Sequence, residues 1–172
     1  MSKNREKVIT QNMSKNKATA MCGVFIALAM ILSYLENLIP IYFVVPGIRL
    51  GLANIVTIIA LTELGLKSAI IVSFGRIILS GILFGNVTVI IYSLAGATLS
   101  LLVMCIVRRI KAFTLTGVSI CGAVAHNFGQ IIVAVIVLNN INIMYYMLVL
   151  AMTGAVAGTA IGILTGIILK KL

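Results

Sequence analysis

The chain has 172 residues, 62% of them apolar and only 9% charged, with a mean hydropathy of +1.23. A soluble domain is roughly 45–50% apolar and about 25% charged, and a small fold leaves much of its surface wet. Soluble globular, disordered and disulfide-scaffold readings are therefore excluded. The formal net charge is +10, from 13 Lys and Arg against 3 acidic residues. These cations lie in short clusters between apolar runs, with no interleaved aromatics, so they read as topology signals and not as a nucleic-acid surface.

In chain order, residues 1–17 carry Lys3, Arg5, Lys7, Lys15 and Lys17 and are expected to form a basic cytoplasmic tail. The rest, 18–172, reads as one membrane domain. Six spans are predicted: Ala18–Leu38, Leu50–Leu64, Ser68–Phe84, Val87–Val107, Phe113–Leu138 and Ile143–Leu169. The first run exceeds a signal-peptide core of roughly 7–15 residues, so it is expected to stay as a helix. The second is short and the third marginal against the about 20 residues of a straight crossing. Pro40, Pro46 and Gly47 break the chain between the first two spans, in an apolar stretch expected to fold over the bundle.

With the N-terminus inside, the tail cations, Lys67, Arg108, Arg109, Lys111, Lys170 and Lys171 share one side, and Arg49 alone lies opposite. This asymmetry predicts that both termini are cytoplasmic and that the number of spans is even.

Polar residues inside the spans are the functional candidates, because a charge at mid-bilayer costs roughly 2.5–3.5 kcal/mol on insertion scales. Arg76 lies at the centre of its span, with Ser73 and Ser80 on the same face. It either contacts a ligand or is a structural cation bonded to carbonyls or to Glu36. His126, Asn127 and Gln130 fall within five residues, flanked by Gly122 and Gly129. Three such groups require partners in a dry interior, from a ligand or from neighbouring helices.

Glu36 and Asn37 close the first span, and Arg49 and Asn54 open the second. Glu36 and Arg49 form an ion pair or touch ligand. Together, Glu36, Asn37, Arg49, Asn54, Ser80, Asn127 and Gln130 are expected to line the outer half of a cavity floored by Arg76 and His126. Its two Arg against one Glu favour an anionic or strongly hydrogen-bonding small ligand. Glu63 and Lys67, four apart, read as a local ion pair. Tyr92, Ser93, Gly96 and Ser100 read as a packing stripe. Cys22, Cys105 and Cys121 fit no zinc spacing and read as buried, quiet thiols, so neither metal nor cofactor is expected.

Gly154, Gly158, Gly162 and Gly166 recur at every fourth position of the last span. Such a ridge lets helix backbones approach closely, inside the bundle or against a partner. Gly23 and Ala27 give the first span a shorter version.

Four stretches carry a family resemblance: Ser-Tyr-Leu-Glu-Asn-Leu-Ile-Pro from Ser33, Pro-Gly-Ile-Arg-Leu-Gly-Leu-Ala-Asn from Pro46, Arg-Ile-Ile-Leu-Ser-Gly-Ile-Leu-Phe-Gly from Arg76, and Gly-Ala-Val-Ala-His-Asn-Phe-Gly-Gln from Gly122. In this order they resemble the Gx transporter family, also labelled heptaprenyl diphosphate synthase component I. That family is similar to the S components of energy-coupling factor (ECF) transporters. The resemblance implies an all-α, six-helix bundle in a prokaryotic cell membrane. It also implies an outward-opening pocket for a small molecule, with Gly23 and Ala27 docking a membrane coupling subunit that works with ATPases. The synthase label implies instead an isoprenoid or quinone-precursor ligand, or a non-catalytic subunit.

The acidic residues are Glu6, Glu36 and Glu63, far apart, and no Asp is present. Catalytic magnesium for diphosphate chemistry is held by carboxylate clusters. The chain also lacks the GxxxxGK[ST] phosphate loop. It is therefore expected not to be an enzyme. The leading expectation is the substrate-binding subunit of an ECF-type uptake transporter. The alternatives are component I of the synthase, and a self-associating channel or small exporter built on the glycine ridge.

Overall fold

The computed structural model describes residues 15–38, 51–85, 87–110 and 112–171. Most of the tail, together with Pro40, Pro46, Gly47, Arg49 and Lys111, lies outside the described residues. The elements are α1 (Lys15–Leu38), α2 (Asn54–Glu63), α3 (Leu66–Phe84), α4 (Val87–Val107), α5 (Leu115–Leu138), a short 3-10 turn (Ile141–Tyr146) and α6 (Met147–Lys171). Among the described residues there is no strand. Among the described residues, five helical segments are long and apolar enough to cross a membrane.

The second span differs most from expectation. Instead of Leu50–Leu64, the helix covers the ten residues Asn54–Glu63, a length of about 15 Å and half of a hydrocarbon core of about 30 Å. Its start is set by Gly51, whose φ of +77° favours glycine, and by a turn in which Asn54 N donates to the Gly51 carbonyl at 2.8 Å. Its end is set by Gly65, φ +83°, which turns the chain directly into α3. That turn puts Glu63 and Lys67 on different helices, so the expected one-helix ion pair is not formed. The third span gains two residues and starts at Leu66. The first starts at Lys15, three residues inside the expected tail. Thr114 caps α5, its side chain accepting from Gly117 N at 3.3 Å. Asn139, left-handed at φ 45°, closes α5, and the sixth span opens with the 3-10 turn ahead of α6.

The short helix is the centre of the molecule. Ile55 through Thr62 are all buried. Val56, Ile58, Ala60 and Leu61 join a core completed by Ala29, Ala69, Val72, Leu101, Met104, Val118 and Ile161 from the surrounding helices. A helix apolar on all sides belongs inside a bundle.

Close approaches fix the directions. Ile26 packs on Gly75 and the Tyr34 ring meets Phe84 at 5.1 Å, so α1 and α3 run parallel. Gly81 packs on Ile90, Gly122 on Met104, and Gly158 on Ile120, making α3, α4, α5 and α6 successively antiparallel. The start of α1 and the end of α6 thus lie at the same end of the bundle. Lys17, Lys67, Arg108, Arg109, Lys170 and Lys171 all gather there.

Candidate functional site

Backbone groups at the ends of a helix have no partner within it, and lipid offers none. Both ends of α2 are met by charged side chains. Glu36 Oε1, from the last turns of α1, accepts from Gly51 N at 2.7 Å. Arg108 Nη1, just past α4, donates to the Leu61 carbonyl at 2.6 Å. An anion before the N-terminus and a cation at the C-terminus also suit the helix dipole.

Arg76 sits at mid-helix in α3, packed inside the bundle at 7% exposure. Its Nη2 donates to Asn54 Oδ1 at 3.0 Å. The first residue of α2 thus orients the guanidinium. Asn54, expected in the outer half of the cavity, is thereby bonded to Arg76, expected at its floor. Gly51 makes this possible, because a Cβ there would stand 2.9 Å from Asn54 Nδ2. Ser80 is buried, and its hydroxyl turns back to the Ile77 carbonyl at 3.4 Å. Arg49 lies outside the described residues, so the structure gives no geometry for the expected Glu36–Arg49 pair.

The second group lies on α5. A Cβ on Gly96 of α4 would meet the His126 carbonyl at 2.8 Å and both His126 Cε1 and Gln130 Cγ at 3.0 Å. Gly96 is therefore the space that His126 and Gln130 occupy, and Gly129 answers it by packing on the Ala95 backbone. Asn127 turns the other way. Its Nδ2 donates to the Leu150 carbonyl of α6 at 2.8 Å, and Gly154 leaves room for it. Asn127 and Gln130 are buried and His126 is half-buried. Arg76 and Asn54 are held within α2 and α3, whereas the His126 group is held within α4, α5 and α6.

The ridge has two parts. Gly154, Gly158 and Gly162 pack on α5, where a Cβ would come within 2.6–2.8 Å of Asn127, Ile120 or Thr116 atoms. Gly166 has open space, as does Gly23. Gly23 and Ala27 lie on the exposed side of α1. Cys22 is buried, but Cys105 and Cys121 are only partly so.

Sequence reasoning missed Gly51 as the acceptor's partner for Glu36, and missed Arg108 as the cap of α2. It also missed the buried hydroxyls of Ser33 and Thr57. Their one readable signal was three-residue spacing from Glu36 and from Asn54, which places each on a polar face.

The fold and these groups define a polytopic, all-α membrane protein with buried polar groups among its helices. Residues 25–168 match the family model for heptaprenyl diphosphate synthase component I, and the chain belongs to that family. No curated protein and no solved structure matches it.

Proposed function

We infer that this protein binds a small anionic molecule within the bundle and serves as the substrate-binding subunit of an ECF-type uptake transporter. The observation that carries this reading is the buried Arg76 guanidinium, oriented by the neutral amide of Asn54 at 3.0 Å. Ionisable side chains within membrane spans mark substrate pathways by default, and short helices often border transporter sites. His126, Asn127 and Gln130 supply hydrogen bonds from α5, with Ser80, Glu36 and Arg49 on the outer side. The cationic end of the bundle faces the cytoplasm of a prokaryotic cell under the positive-inside rule. The exposed Gly23 and Ala27 of α1 offer a smooth strip to a membrane coupling subunit, which brings the ATPases that this chain lacks.

A second reading has support in the family name: a non-catalytic membrane subunit of a prenyl diphosphate synthase, with an isoprenoid or quinone-precursor ligand. The scarcity of carboxylates agrees with a non-catalytic role in either case. The self-associating channel loses its motive, because three of the four ridge glycines are used against α5.

Mild-detergent purification from the native host, with cross-linking and mass spectrometry, separates the readings. A coupling subunit with ATPases is the expected result. Recovery of a prenyl synthase subunit without ATPases would overturn the transporter reading. Within the transporter reading, Arg76→Ala is expected to abolish ligand binding while the protein remains inserted and monodisperse.

A further inference from the structure

Three hydrogen bonds join Glu36 of α1 to Arg76 of α3 through one tight turn. Glu36 Oε1 accepts from Gly51 N at 2.7 Å. The Gly51 carbonyl accepts from Asn54 N at 2.8 Å. Asn54 Oδ1 accepts from Arg76 Nη2 at 3.0 Å.

The turn is tight because Gly51 holds φ at +77°, which glycine adopts without a Cβ clash. The missing Cβ also admits the Asn54 amide: a Cβ there would stand 2.9 Å from Asn54 Nδ2 and 3.6 Å from Asn54 Cγ. The amide therefore lies with its Nδ2 end against Gly51 and its Oδ1 end against the guanidinium. Moving Gly51 moves the surface on which that amide rests. Glu36 does not stand level with the Arg76 backbone. Ile26 packs on Gly75 and Tyr34 on Phe84, so Glu36, ten residues past Ile26, lies roughly 15 Å further along the bundle. The turn bridges that separation. Glu36 and Arg76 each have interactions besides these, so the turn aims the Nη2 end of the guanidinium and does not hold the whole side chain.

We propose that Glu36 is a positioning residue for Arg76. Its carboxylate anchors the Gly51 N–H, a donor ahead of α2 that lipid cannot satisfy. The anchored turn fixes the Asn54 amide, and the amide sets the direction of Arg76 Nη2. What this role requires of residue 36 is an acceptor oxygen at the right reach, so a neutral amide serves as well as a carboxylate. For its consequence on binding, the inference rests on the reading of Arg76 as a ligand contact.

The test uses the full chain in nanodiscs. Nitrogen-15 NMR of the guanidinium group, assigned by Arg76→Lys, reads the setting of Arg76 without any ligand. Isothermal titration with glycerol 3-phosphate, a small anion, reads affinity. Asn54→Ala defines the effect of losing the amide. Glu36→Ala is expected to shift the Arg76 signals in the same direction as Asn54→Ala and to weaken binding about fivefold, the usual worth of one hydrogen bond. Glu36→Ala combined with Asn54→Ala is expected to bind no more weakly than Asn54→Ala alone, because members of one hydrogen-bond network are not additive. Glu36→Gln keeps an oxygen for the Gly51 N–H and is expected to match the wild type in both readouts. Arg76 signals unmoved by Glu36→Ala, additive losses in the double variant, or a Glu36→Gln protein as impaired as Glu36→Ala would overturn the proposal. The last result would assign Glu36 to a charge interaction. If Glu36→Ala does not fold, Glu36→Gln decides alone: a charge role predicts moved signals and lost affinity, a positioning role neither. If the Arg76 signals follow Glu36 as expected but glycerol 3-phosphate does not bind the wild type, the positioning stands and Arg76 as the anion contact falls.

Discussion

The Arg108 guanidinium reaches across to the Leu61 carbonyl, 2.6 Å away and 47 residues earlier in the chain. It ties the end of α4 to the last turns of α2, the helix around which the core is built. With Glu36 at the opposite end, it lets a helix too short to span the bilayer end inside the protein.

Replacing Arg108 with Leu is expected to lower stability by about 1.5–3 kcal/mol, the usual worth of a hydrogen bond to a charged group. Lys at this position should restore part of the loss, as it keeps a donor and a charge but not the planar fork. Reversible unfolding in mixed micelles measures this. An Arg108→Leu protein as stable as the wild type would show that the Leu61 carbonyl is satisfied without it.

Asn54→Asp tests the charge at Arg76 without removing bulk. The new carboxylate would face the guanidinium that Asn54 now meets at 3.0 Å and would place a negative charge beside it. Affinity for glycerol 3-phosphate in nanodiscs is expected to fall by about ten- to a hundredfold, the equivalent of roughly 1.5–3 kcal/mol. Asn54→Ala should have a smaller effect, since it removes orientation but not charge. Unchanged titration of Asn54→Asp would remove Arg76 from anion binding.

Much of this architecture was legible because its physics is local. Long apolar runs mark crossings, so α3 to α6 fall within a few residues of their predicted spans. The ends of α2 were not legible. They depend on positive φ at Gly51 and Gly65 and on partners distant in sequence, neither of which a hydropathy pattern records. The same holds for the site. Arg76 and the His126 group stand out as polar residues in apolar runs. The pairing of Arg76 with Asn54, and the opposite aims of His126 and Asn127, arise only from packing. Ser33 and Thr57 escaped notice because Ser and Thr are unremarkable in membrane helices until their hydroxyls are seen not to bond back.

The gathering of Lys17, Lys67, Arg108, Arg109, Lys170 and Lys171 at one end predicts a labelling pattern. In a background with the three native cysteines replaced, Lys17→Cys, Lys67→Cys and Lys170→Cys should react with an impermeant maleimide only after the cells are opened. Thr88→Cys and Asn142→Cys, exposed at the other end, should react on intact cells. Any exchange between the two sets would contradict the assigned orientation, and labelling of Lys17→Cys and Lys170→Cys from opposite sides would contradict an even number of crossings.

The glycine ridge predicts a gradient along α6. At Gly162 an added Cβ would stand 2.6 Å from Thr116 Cα, a backbone atom that cannot swing aside, whereas Gly166 has open space. Gly162→Ala should force α5 and α6 apart and destabilise the protein by about 1–3 kcal/mol, the usual range for overpacking. Gly166→Ala should leave stability unchanged or slightly improved, because Ala favours the helix. Gly154→Ala is the informative intermediate. Its Cβ would meet Asn127 Nδ2 at 2.8 Å, a side-chain atom that can move, so the helices should stay together while Asn127 loses the Leu150 carbonyl. Ligand affinity should then fall more than thermal stability does. Equal loss of both in Gly154→Ala would assign Asn127 to the helix interface alone.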